Sequence, residues 1–264
     1  MEILEIKDLE TLAKKRVPKM FFDYVNSGSW TETTYNENVS DFQKIKLRQR
    51  VAIDMSNRTL ETKMINQPVS MPVAIAPTGL TGMQRADGEI LAANACNIMN
   101  VPYILSTMSI CSIEQVAEST KNPFWFQLYV MKDKEFVKNI INRAKKAKCS
   151  ALVVTMDLPL LAQRHNDIRN GLSAPPKLGL NQIFQLITKP EWCLRMMLTK
   201  NKTFGNILGH ARGVKDLSSI ISWTNDQFDQ ELTWDYVKWI KKLWGGPIIL
   251  KGILDVDDAE KALN

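Results

Sequence analysis

Five short apolar runs in this 264-residue chain end in side chains that donate, accept or carry charge. PVAIAP (Pro72–Pro77) leads into Thr78 and Gly79, and PYILST ends on Ser106 and Thr107. FWFQLYV holds Gln127 and Tyr129, SALVVTMD ends on Thr155 and Asp157, and PIILKG carries Lys251. An ammonium at the tip of an apolar strand can stabilise negative charge on a bound group. Just past the fourth run stands Arg164, whose guanidinium matches a planar carboxylate through two parallel hydrogen bonds. Taken alone, Lys251 reads equally well as a lysine snorkelling out of a core, and Arg164 as a surface arginine.

The elements between these residues decide how they are placed. The runs alternate with amphipathic stretches such as ADGEILAANACNIMN, SIEQVAEST and DKEFVKNIINRAKKAK, which predicts parallel βα units. In a (β/α)8 barrel the C-terminal strand tips converge on one site, whereas an open doubly wound sheet binds at its switch point. Polar groups at five successive tips, and the lack of a GxGxxG after the first run, favour the barrel. The stretch KDLETLAKKRVPKMFFDYVNSG, within residues 1–70, predicts a helix pair with Pro18 opening the second helix and Gly28 stopping it. The span 158–230 is too long for an ordinary βα connection and reads as a lid or binding insertion with short helices of its own. TWDYVKWIKKLWGG predicts a helix capped by Thr233 and ended by Gly245-Gly246, with Trp234, Val237, Ile240 and Trp244 facing the core. Asp255 reads as the N-cap of a final helix, with Asp257 and Asp258 in its first turn.

Composition narrows the class. The chain is 45% hydrophobic and 23% charged, without repeats or low-complexity tracts, and fits one domain over residues 1–264. Four scattered cysteines with no CxxC argue for a reduced, cytoplasmic protein and against a disulfide scaffold or zinc site. No apolar stretch reaches the ~20 residues of a membrane span, and the first ten residues are patterned for a helix, unlike a signal peptide. The net charge of +6 comes from dispersed clusters, and no nucleic-acid module is present.

The stretches FFDYVNSG, MPVAIAPTGLTGM, LSTMSICSIEQVA, FWFQLYV, VVTMDLPLLAQRHNDIRNG and GGPIILKGI span nearly the whole chain. Together they resemble the FMN-dependent α-hydroxy acid dehydrogenase and oxidase family, with TMDLPLLAQRHNDIRNG and the long insertion closest to its respiratory L-lactate dehydrogenase branch. The resemblance implies FMN as cofactor, held by the backbone of Pro77, Thr78 and Gly79 and by Ser106, Gln127 and Thr155. It places Lys251 beside the flavin N1–C2 carbonyl, and the hydroxyls of Tyr24 and Tyr129 with Arg164 on the substrate. Met108 falls where the family varies the side chain that meets the substrate's R group. Asp157 matches a carboxylate that stabilises a catalytic histidine. The family carries that histidine in a Ser-Asn-His-Gly-Gly-Arg type stretch about two dozen residues past the lysine, which falls beyond Asn264; His165 and His210 lie elsewhere.

The sequence is therefore expected to be an incomplete barrel, with about five of eight strands. The histidine, a second carboxylate-binding arginine and the phosphate-cradling turns would be missing. The implied activity is oxidation of L-lactate to pyruvate, with electrons passed to a quinone or cytochrome-type acceptor and a tetramer as the full-length form. Segment 181–202 mixes Phe184, Trp192, leucines and methionines with Lys189, Arg195, Lys200 and Lys202. It predicts either peripheral contact with the anionic cytoplasmic face of the inner membrane or a helix packed on the barrel. Two alternatives stand beside this: a cytosolic 2-hydroxy acid oxidase using oxygen, and a truncated, non-catalytic flavin-binding or interaction protein.

Overall fold

A computed structural model describes residues 2–158, 160, 162–172, 179–211, 213–214, 223, 227 and 231–263. Three helices lead the chain: α1 (Ile6–Arg16), α2 (Lys19–Val25) and α3 (Thr33–Lys44). Pro18 opens α2 as its sequence position predicts, but Asn26 caps its end, two residues before the expected Gly28. A hairpin follows, β1 (Thr62–Met64) on β2 (Gln67–Val69), turned by Ile65 and Asn66 at φ 48° and 63°. Two consecutive positive φ values give the turn the twist that a two-residue hairpin needs.

The body is a four-stranded parallel sheet in the order β3 (Ile104–Ser106), β4 (Trp125–Tyr129), β5 (Ala151–Thr155), β6 (Ile248–Lys251). Helices α4 (Thr81–Gln84) and α5 (Gly88–Met99) precede it, and α6 (Ile113–Ser119) and α7 (Lys134–Lys146) connect its first three strands. Ser112 caps α6 in a capping box with Gln115, and the Asp133 carboxylate caps α7 through the Glu135 and Phe136 N–H groups. Between β5 and β6 lie α8 (His165–Arg169), α9 (Leu180–Ile187), α10 (Pro190–Leu198) and α11 (Trp234–Trp244). Thr233 precedes α11 in extended backbone, and Gly245 ends it at φ 71°. Of the four side chains expected to face the core from α11, Val237, Ile240 and Trp244 are buried and Trp234 is partly so. The Asp255 carboxylate accepts from the Asp257 and Asp258 N–H groups and starts α12 (Val256–Leu263).

One predicted strand is absent. Pro72–Pro77 does not form a strand; it makes a single parallel bridge, Ile75 to Tyr103. The segment pairs on one side only, and prolines at both ends remove backbone donors, so the ladder stops after two bonds (Ile75 N–H to Pro102 O, Ile104 N–H to Ile75 O). The sheet is thus an open arc of four strands rather than the five expected.

Period-two alternation divides the arc. Leu105, Phe126, Leu128, Leu152 and Val154 pack with the helices in the main core. Ile104, Trp125, Ala151 and Val153 form a smaller cluster on the opposite, inward face, with Met64, Ala74 and Ile249 against it. The hairpin closes that face at the strands' N-terminal end, where Trp125 Nε1 donates to Gln67 Oε1 at 3.1 Å.

Candidate functional site

The inward register places the chemistry. Counting by twos from Ile104, Trp125, Val153 and Ile249 reaches Ser106, Thr155 and Lys251 at C-terminal tips, and Gln127 two residues before the end of β4. Neighbouring strands stagger these tips: Ser106 pairs with Gln127, Tyr129 with Thr155, and Thr155 with Lys251.

Hydrogen bonds join the tips into one row. Ser106 Oγ donates to Gln127 Oε1 at 3.1 Å, and Gln127 Nε2 donates to Thr155 Oγ1 at 2.8 Å. The same Gln127 oxygen accepts from the Thr107 N–H at 3.3 Å. All three side chains are buried, so each must find partners, and the row satisfies them mutually. Lys251 Nζ then lies 3.5 Å from Asp157 Oδ2, both side chains nearly half exposed.

A second group adjoins the first through the turn after β3, where the Met108 N–H donates to Ser106 Oγ at 3.1 Å. The Tyr24 hydroxyl lies 3.0 Å from where a Cβ on Gly79 would stand, and Met108 Cβ is 3.4 Å from that point. Leu80 N–H donates to the Met108 carbonyl at 3.0 Å, so the Thr78–Leu80 backbone is tied to the turn after β3. Thr78 itself is exposed and Pro77 partly so. Burial pushes the Tyr129 phenol up to about 12, with Tyr24 and Asp157 adding to the shift. Burial also raises Tyr24, opposed by Arg164 and reinforced by Asp167. Tyr129 is thus coupled to Tyr24 and Asp157, and Tyr24 to Arg164 and Asp167.

Arg164 is more engaged than its sequence position suggested. Its Nε donates to Asp167 at 2.6 Å, its Nη2 donates to the Tyr24 carbonyl, and its guanidinium carbon lies 5.0 Å from the Tyr24 ring centre. Its Nε and Nη2 are thus both engaged within the protein. Asp167, buried, was not anticipated; its three-residue spacing from Arg164 on α8 was the available signal.

Gly252 was also missed. It sits at φ 98°, and a Cβ there would stand 2.6 Å from Asp157 Cβ and Cγ. Glycine at this position lets the Asp157 side chain lie against the end of β6. The two histidines stand apart from the strand tips. His165 meets Trp30 edge-on at 5.8 Å, and His210 is lowered in pKa by burial first and then by Arg143. No helix among the described residues is long and apolar enough to cross a membrane, and no cluster there could hold a metal ion.

The model of the FMN-dependent dehydrogenase family matches residues 13–264. The chain is 41% identical to an L-lactate dehydrogenase of Acinetobacter baylyi, covering all of this chain and 68% of that protein. It is 41% identical to the L-lactate dehydrogenase of Pseudomonas entomophila, over 97% of this chain and 67% of the relative. The chain therefore spans about two thirds of the length of these relatives. Among solved structures, the monotopic membrane protein (S)-mandelate dehydrogenase superposes with a TM-score of 0.92 at 26% identity, over 100% of this chain and 70% of that one. A lactate oxidase of Pediococcus acidilactici superposes at 0.77 with 25% identity, over 100% of this chain and 64% of that one. These neighbours are (β/α)8-barrel enzymes, and the four-stranded arc is the corresponding part of the barrel, not closed here.

Proposed function

Because the chain belongs to the FMN-dependent dehydrogenase family, we propose that its strand tips hold the flavin and a small 2-hydroxy acid, L-lactate, for oxidation to pyruvate. The observation that carries this reading is the continuous row Ser106–Gln127–Thr155, with Lys251 next in register and Gly79 beneath the Tyr24 hydroxyl.

The residues fit a flat ring with a polar rim. Ser106, Gln127 and Thr155 offer donors and acceptors along one line, and Gly79 leaves main chain free to approach closely. Lys251 supplies a fixed positive charge where negative charge would accumulate on reduction. When bound, the flavin supplies the two-electron acceptance that no side chain provides. Arg164 would grip the acid's carboxylate, aided by Tyr24, and Tyr129 would donate to its other polar end. Tyr129 suits that task because a phenol is protonated at neutral pH and donates a hydrogen bond. Neither His165 nor His210 lies among the tips, so the proposal assigns binding and orientation to this chain and not proton abstraction. Residues 1–264 are taken as one domain in this scheme.

The decisive experiment is FMN binding by the 264-residue chain, followed by quenching of flavin fluorescence. Photoreduced bound flavin, mixed with oxygen or with a water-soluble quinone, separates a dehydrogenase from the oxidase reading that the lactate oxidase neighbour raises. Faster reoxidation by the quinone supports the dehydrogenase.

A peripheral membrane position is part of the proposal. On α9 and α10, Phe184, Ile187, Met197 and Leu198 are all at least 68% exposed, an apolar patch that water disfavours. Trp192, read from sequence as part of this face, turns inward instead: it stacks on Phe21 at 5.5 Å and donates to the Met83 carbonyl at 2.8 Å. Co-sedimentation with anionic vesicles tests the position, and no binding at low salt removes it.

A further inference from the structure

Asn206 lies in the turn after α10, outside the strand tips, and is completely buried. Its Oδ1 accepts from the Ile113 N–H at 2.9 Å and from Arg143 Nη2 at 3.3 Å. Its Nδ2 donates to the Ser109 hydroxyl at 2.9 Å, with longer contacts to the Ser106 and Thr107 carbonyls at 3.4 and 3.5 Å. Its own carbonyl accepts from Arg143 Nη1 at 3.1 Å, and Arg143 is anchored in turn by both oxygens of Glu114.

One side chain from the insertion thus grips both ends of the turn from Ser106 to Ile113. The turn presents carbonyls at its start and an N–H at its finish. Only a side chain with a donor and an acceptor on one carbon meets both, and asparagine has that shape. The same turn carries Ser106, which begins the strand-tip row and also accepts from the Met108 N–H at 3.1 Å. It carries Met108, which borders Gly79 beside the Tyr24 hydroxyl.

We propose that Asn206 is a positioning residue for the candidate site: it fixes the turn after β3, and through it the places of Ser106 in the row and of Met108 against Gly79. The inference rests on the flavin reading for its functional consequence and on the hydrogen bonds alone for its structural one.

Asn206→Asp in the 264-residue chain tests it. Aspartate keeps the acceptor for Ile113 and gains charge beside Arg143, but loses the donor to Ser109, Ser106 and Thr107. The expected result is a urea midpoint close to that of the unaltered chain, with amide exchange in 106–113 faster by about tenfold and exchange in β4 and α7 unchanged. FMN dissociation rises about tenfold, the loss of one net hydrogen bond's contribution. Asn206→Leu, which removes donor and acceptor together, shows the same local exchange pattern. Unchanged exchange in 106–113 overturns the proposal, as does a loss spread evenly through β4 and α7, which marks a general stability effect. Faster local exchange with unchanged FMN affinity overturns the link to the site. An unaltered chain that binds no FMN defeats the flavin reading, and the exchange pattern still decides whether Asn206 holds the turn.

Discussion

Lys251 and Asp157 face each other at 3.5 Å from the ends of adjacent parallel strands, and the approach is possible because residue 252 has no side chain. The register pairs Lys251 with Thr155, so the ion pair reaches past the ladder to the residue two positions on. An ammonium is thereby held at the open end of the row formed by Ser106, Gln127 and Thr155.

Gly252→Ala strikes this pair directly. A Cβ at φ 98° is strained and would also collide with Asp157. The cost expected is about 1–2 kcal/mol, read from urea unfolding. Unchanged stability would show that the loop has another conformation at equal energy.

Gln127→Leu keeps the volume and removes the hinge of the row. The Ser106 hydroxyl, the Thr107 N–H and the Thr155 hydroxyl all lose a buried partner. The variant should be destabilised by about 2–3 kcal/mol, beyond what an exposed glutamine would cost. A loss below about 0.5 kcal/mol would mean that the row is not formed in solution.

Lys251→Met separates binding from stability. The pair with Asp157 is nearly half exposed, so its loss costs less than about 1 kcal/mol of folding free energy. A charge-assisted contact to the flavin is worth about 1.5–3 kcal/mol, so FMN affinity should fall by about tenfold or more. Equal FMN affinity in both proteins would remove Lys251 from the cofactor site.

Glu114 predicts an acid-dependent term. Hydrogen bonds from Arg143 lower its carboxyl to about 2, against a smaller opposing effect of burial. A folded-state pKa below the ordinary value contributes stability above that value and loses it as pH falls toward 2. Glu114 is half exposed, so the contribution is screened to about 1 kcal/mol. Glu114→Gln should therefore be less stable than the unaltered chain by about that amount at neutral pH, with the gap closing in strong acid. A gap independent of pH would contradict the assignment.

Much of the scaffold could be read along the chain because it depends on local pattern. Four of five apolar runs became strands, and Gly245 and Asp255 bound their helices where residue type places them, while Thr233 stands at its N-cap position without a side-chain bond. PVAIAP failed because a strand needs neighbours as well as composition, and this segment pairs on one side through two bonds. The hairpin at Thr62–Val69 went unnoticed because Ile-Asn is a weak turn signal beside Asn-Gly. In the site, Ser106, Thr155 and Lys251 were legible as strand ends and Gln127 as a polar residue inside an apolar run. Asn206, Asp167 and Gly252 were not, since each acts through contacts set by the fold: Asn206 meets Ser109 across 97 positions. Arg164 was visible as a cation, but its engagement with the Tyr24 carbonyl depends on a residue 140 positions away.

Whether these strand ends surround one flavin is decided by titrating FMN with the 264-residue chain. Flavin fluorescence should be quenched, saturating at an equimolar ratio, with weaker quenching in Gln127→Leu and Lys251→Met. Folded, soluble chain that leaves the emission of FMN unchanged would contradict the flavin site.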